Sequence, residues 1–165
     1  MTGKRGFPTW VRTWFWLEFL AVLAVLAAFV LGGCAQSVRG AEFEFTTPEE
    51  DTERFMLWEE TVRLTDEQEQ IMKDALTPLP APCCSENSAY TCCCPCNLAR
   101  TWWGLSKHLI AEQGASVEEV RETVEEWFER INPDGFTGNI CGTGGCGRAF
   151  HKNGCGGMNP VKVSV

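Results

Sequence analysis

Six of the ten cysteines in this 165-residue chain fall between Cys83 and Cys96, and three more, Cys141, Cys146 and Cys155, sit in a glycine-rich tail. Thiols at that density do not serve as inert packing. Crowded thiolates repel one another and oxidise readily, so they must cross-link, bind metal or exchange electrons. The tenth cysteine, Cys34, stands apart at the end of an apolar stretch and has a separate role.

The first 33 residues read as an address. Lys4, Arg5 and Arg12 make a positive leader, and Phe19 to Leu31 is uncharged, apolar and short for a bilayer-spanning helix. Leu31-Gly32-Gly33-Cys34 follows at once and resembles the lipobox of bacterial lipoproteins, in which the cysteine receives a diacylglycerol and becomes the new N-terminus. The resemblance implies a signal peptide over residues 1–33, a lipid-anchored tether over 34–50 and a cysteine-rich domain over 51–165. It also implies a place on the extracytoplasmic face of a bacterial cell membrane, held by lipid on Cys34. Retention of the apolar stretch as an uncleaved anchor is the alternative. Either route puts the cysteines where disulfides persist.

Loss of Lys4, Arg5, Arg12 and Glu18 with the leader takes the basic count from 14 to 11 and the acidic count from 22 to 21, so the net charge moves from -8 to -10. A domain this acidic has no electrostatic route to nucleic acid or to anionic headgroups. A cationic partner or a metal cation suits it better. About 130 residues suffice for one modest core.

Hydrophobic spacing predicts a mainly α fold. Phe55, Leu57, Trp58, Val62 and Leu64 supply apolar positions from Asp51 onward. Thr65-Asp66-Glu67-Gln68 is a capping box, so a helix over 66–76 is expected, stopped by the prolines of Thr77-Pro78-Leu79-Pro80-Ala81-Pro82. Beyond the first cysteine block, taken as a loop, Asn97 reads as a cap, and Leu98, Trp102, Leu105 and Leu109 lie on one helix face up to Gln113-Gly114. Ser116-Val117-Glu118-Glu119 is a second capping box, followed by the stripe Val117, Val120, Val124, Trp127 or Phe128, and Ile131. The short link makes these two helices an αα-hairpin. No stretch makes a convincing strand. The expected architecture is a small helical domain, its hairpin clasped by two cysteine-rich loops, after an N-terminal signal helix. Residues 136–159 hold little to bury, so a covalent or coordinate tie is expected there.

Three chemistries suit the cysteines. Disulfides could join the blocks, but neighbours such as Cys83 and Cys84, or Cys92, Cys93 and Cys94, bridge one another only with strain. The tail offers three partners for six loop thiols, so at least three must pair within the loop, bind metal or stay free. A metal site is the second reading. Cys83, Cys84, Cys92, Cys93, Cys94 and Cys96 form one candidate ligand set and Cys141, Cys146, His151 and Cys155 another. Thiolates select Zn, Cu(I) or an iron-sulfur cluster, and Met158 adds a soft thioether. The third reading is thiol-disulfide exchange by Cys93 and Cys96, whose Cys-x-Pro-Cys form runs into a helix N-terminus that would stabilise a thiolate.

A cysteine motif leading into a helix, then Gly114-Ala115-Ser116-Val117-Glu118-Glu119-Val120 and a second helix, resembles the periplasmic domain of CcmH/NrfF-type cytochrome c maturation proteins. That likeness covers about 83–130 and implies Cys93 and Cys96 as a redox pair acting on apocytochrome c. The crowding in Cys92-Cys93-Cys94-Pro95-Cys96 is also similar to the PCYCGC-motif lipoproteins of bacterial surfaces. A disulfide-locked accessory subunit of a membrane protein complex is the non-catalytic alternative. His108 is expected to be a boundary residue, Trp102, Trp103 and Trp127 core, and the glutamates of 118–129 a solvated helix face.

Overall fold

The computed structural model describes residues 43–165, and the leader, the lipobox and Cys34 lie outside the described residues. The described chain is mainly helical, as its hydrophobic spacing predicts. Four helices carry it: α1 Pro48–Thr61, α2 Asp66–Leu76, α3 Asn97–Gln113 and α4 Val117–Ile131. A small antiparallel ribbon, β1 Pro80–Ala81 with β2 Cys84–Ser88, lies between α2 and α3, and two single turns of 3-10 helix occupy the tail at Gly145–Gly147 and Phe150–Lys152. None of the helices among the described residues is long and apolar enough to cross a membrane.

The helix starts follow local chemistry. Thr47, Thr65 and Ser116 each cap a helix with a full capping box, closed by Glu50, Gln68 and Glu119 respectively. Each box satisfies two amides that would otherwise lack partners. α1 begins at Pro48, ahead of the Asp51 start that spacing suggests, because Thr47 and Glu50 close their box there. Residues expected to be tether therefore pack against the domain. Phe45 stacks on Trp127 at 6.1 Å between ring centroids, and Phe43 and Phe45 both meet Phe55. α3 ends at Gly114, whose φ of 64° puts it in the left-handed region that glycine enters at little cost.

α1 packs against α3, and α4 lies against α2 and α3. Phe55, Trp102, Leu105, Val120, Val124 and Trp127 are fully buried between them. Gly104 makes the α1–α3 approach possible, since a methyl group there would overlap the Phe55 carbonyl. Polar ties reinforce this contact: Arg100 and Lys107 of α3 both pair with Glu59 of α1.

Two expectations need correction. Residues 80–88 form a short ribbon where no strand is expected; its register shifts between Pro80↔Ser88 and Ala81↔Cys84. The tail also buries more than its composition suggests. Ile140 and Phe150 are fully buried, and the Asn97 side-chain amide donates to the carbonyls of Gly156 and Asn159, both at 2.9 Å. The backbone amides of Asn97 and Leu98 donate to Gly157 and Cys155. Apolar anchors and hydrogen bonds thus hold the glycine-rich segment before any sulfur chemistry is invoked.

Candidate functional site

The fold brings both cysteine blocks to the N-terminus of α3. The first loop is fixed from behind by two tryptophans of α3. Trp102 and Trp103 both donate their indole N–H to the Ala89 carbonyl, at 2.9 and 2.8 Å. That bond sets the chain just upstream of Cys92. The tail arrives through the bonds to Asn97 and Leu98, and the Cys141 amide donates to the Cys83 carbonyl at 3.4 Å.

Cys83, Cys92, Cys96 and Cys155 form a buried row. Their relative exposures are 0, 8, 0 and 0 %. Cys83 and Cys92 are 3.4 Å apart at sulfur. Cys96 interacts with both Cys83 and Cys155, so contacts run in the order Cys92, Cys83, Cys96, Cys155. A disulfide requires about 2.05 Å between sulfurs, and all nine described cysteines are free thiols. Among the described residues, no three His, Cys, Asp or Glu side chains already converge on one point as ligands of an ion. The row is a line of thiols in contact, not a closed cage.

Cys96 is the cap of α3, one position before the Asn97 that spacing suggests. Its sulfur accepts the Ala99 amide at 3.5 Å, doing with sulfur what serine or aspartate does with oxygen. Hydrogen bonds from Cys155 and then Cys83, with the Ala99 and Leu98 amides behind them, pull the Cys96 thiol down to about 3. The donors move the other way. Contact with Cys92 and then Cys96 pushes Cys83 up, and contact with Cys96 pushes Cys155 up. Cys92 is lowered, first by the hydrogen bond from Cys83. The centre of the row is thus a buried sulfur drawn toward its thiolate form by the thiols beside it and by the start of a helix.

A second set of sulfurs lies nearer the surface. Cys93 is exposed, and its sulfur is 3.7 Å from that of half-buried Cys94. Cys94 interacts with Cys141, and Cys141 with Cys146. Cys84 is buried beside the surface set, close enough to act on Cys93, and its sulfur accepts the Asn87 amide at 3.2 Å. Of the expected exchange pair, Cys96 is fully buried and Cys93 open to solvent. His151 is exposed, and its Nδ1 is 3.1 Å from the Val165 carbonyl. Met158 is 51 % exposed. His108 stacks face to face on Trp58 at 3.7 Å, a packing role at the edge of the core.

Sequence spacing names all these cysteines, as one candidate set in the loop and another in the tail, but does not give the division into a buried row and a surface set that each draw on both blocks. It also missed Ala89, Trp103 and Asn97 as positioning groups. For Asn97, a side chain that bonds two carbonyls some sixty residues away, no local signal exists. Comparison with known protein families, with curated proteins and with solved structures found no match to this chain.

Proposed function

We propose that this is a soft-metal-binding domain, held outside the cytoplasm by lipid on Cys34, and that Cys83, Cys92, Cys96 and Cys155 hold the ion. The observation that carries this reading is the contact of four buried thiols from three chain segments around a thiolate that caps a helix. A tetrahedral ion with metal–sulfur bonds of about 2.3 Å separates its ligands by about 3.8 Å. The Cys83–Cys92 separation of 3.4 Å is close to that edge and far from a disulfide. Binding would draw the two ends of the row, Cys92 and Cys155, inward over Cys83 and Cys96. Amide donors to the Cys96 sulfur offset part of the ligand charge. Zn(II) and Cu(I) are the ions this donor set selects, and an iron-sulfur cluster is the remaining soft option.

The exchange reading needs a nucleophile that a partner's disulfide can reach. Cys93 is reachable, but Cys96 is enclosed. The metal reading is therefore the stronger. Its test is elemental analysis with a thiol count on protein purified without chelator or added reductant. About one equivalent of Zn or Cu per chain is expected, falling to near zero in Cys83→Ser/Cys96→Ser. Less than about a tenth of an equivalent in the wild type, with most sulfur in disulfides, overturns it.

A further inference from the structure

Cys83, Cys96 and Cys155 have no exposed surface and Cys92 has 8 %. An ion cannot reach such a row from water in one step, nor can a carrier's ligands. The surface set lies where an entry route would be. Cys93 is exposed, and Cys94, Cys141 and Cys146 are half-buried. Three of them each touch a member of the row through the backbone. The Cys92 thiol is 3.6 Å from the Cys94 carbonyl, the Cys141 amide donates to the Cys83 carbonyl, and the Cys155 sulfur is 3.1 Å from the Cys146 carbonyl. The turn between Cys141 and Cys146 is shaped to bring them together. Gly144 has a φ of 73°, and the Gly145 amide returns to the Ile140 carbonyl at 2.8 Å. Backbone bonds thus link the two sets.

We propose that Cys93, Cys94, Cys141 and Cys146 form a surface thiol site that captures Cu(I) and hands it to the buried row by ligand exchange. This rests on the row being a metal site. Cu(I) is stable with two or three thiolate ligands, so it suits the Cys93 and Cys94 sulfurs, 3.7 Å apart, with Cys141 and Cys146 beside them. Each thiol that joins the ion gives its proton to water. In each step one copper–sulfur bond to the row forms and one to the surface set breaks. Copper stays at +1, so no oxidant or reductant takes part.

The experiment uses the detergent-solubilised full chain, fully reduced, with Cu(I) supplied from a bicinchoninate complex and uptake followed by stopped flow. The wild type should load in two phases, a fast capture and a slower transfer into a chelator-resistant state. Cys93→Ser, at an exposed position that leaves packing untouched, and Cys141→Ser/Cys146→Ser should each slow filling of that resistant state by at least about tenfold, with its final content unchanged. Cys83→Ser/Cys96→Ser should keep the fast phase and lose the resistant ion. Loading of both surface variants at the wild-type rate overturns the surface site and leaves the row intact. A wild type that retains no Cu(I) overturns the row reading and this proposal together.

Discussion

The Cys96 sulfur accepts the Ala99 amide at 3.5 Å, so one atom is both the N-cap of α3 and the centre of the buried thiol row. Folding of the central helix and chemistry of the sulfur site are coupled through that atom. A ligand on Cys96 takes one lone pair of a sulfur that still accepts the cap amide through another, and the helix start in turn holds the sulfur in place.

Serine and alanine at position 96 should therefore part company. Cys96→Ser keeps an atom that can accept the Ala99 amide and should retain most stability while losing the metal. Cys96→Ala loses both, and alanine at an N-cap costs about 0.5–2 kcal/mol. Thermal denaturation and metal content measured on the two variants check this. Equal destabilisation by both would show that the sulfur does not act as a cap.

The reduced, metal-free domain should show a stability maximum in mild alkali. The Cys96 thiol lies at about 3 because Cys155 and Cys83 donate to its thiolate. Between there and the unfolded thiol value of about 8.5, the unfolded chain binds the extra proton, so this contribution grows with pH and is complete above about 8.5. Cys83 and Cys155 are raised by the sulfurs they contact. Their contribution is complete below about 8.5 and is lost as pH rises beyond it. Urea denaturation across the range, with chelator and phosphine present, should peak near about pH 8.5. Cys96→Ser should flatten the rising limb relative to the wild type, and an unchanged limb would remove the buried thiolate from the account.

Much of the fold was legible because its signals are local. Thr65-Asp66-Glu67-Gln68 and Ser116-Val117-Glu118-Glu119 are capping boxes whatever lies around them, and α2 and α4 start where those boxes place them. The stripe Val120, Val124, Trp127 and Ile131 is buried because its spacing allows one face only. What was not legible depends on residues far apart in the chain. Ile140 and Phe150 look isolated among glycines, and only the closed fold shows them in the core. The cap of α3 was misplaced by one residue because cysteine is seldom read as a cap, whereas asparagine is. The candidate site was legible as a composition, all its cysteines named. Its division into buried and surface sulfurs was not, since burial follows from where Trp102, Trp103 and Asn97 pin the two loops.

Gly104 should tolerate no side chain. A methyl group there meets the Phe55 carbonyl and the Glu59 amide of α1. Both are backbone atoms of a helix and cannot swing aside, so α1 and α3 must move apart. Gly104→Ala gains helix propensity, about 1 kcal/mol in an unconstrained helix, and should nonetheless destabilise the domain by about 1–3 kcal/mol through overpacking. Chemical denaturation measures the balance. A variant more stable than the wild type would mean that α1 and α3 do not approach this closely.

The tail should stay docked when its sulfurs are removed. Phe150 is fully buried, and the Asn97 side chain bonds the Gly156 and Asn159 carbonyls. Neither tie involves a thiol. Hydrogen exchange on the metal-free protein separates the contributions through the amides of Leu98, Gly156 and Ser164, which donate to Cys155, Arg148 and Gly156 respectively. Cys141→Ser/Cys146→Ser/Cys155→Ser should leave those amides protected. Phe150→Ala removes a buried aromatic ring at a cost of about 3–5 kcal/mol and should expose them. Asn97→Ala removes the bonds to the carbonyls of buried Gly156 and exposed Asn159, costs about 1–3 kcal/mol, and should expose Gly156 and Ser164 selectively. Should the triple serine variant lose protection as fully as Phe150→Ala, sulfur and not the apolar anchor would be what orders residues 136–159.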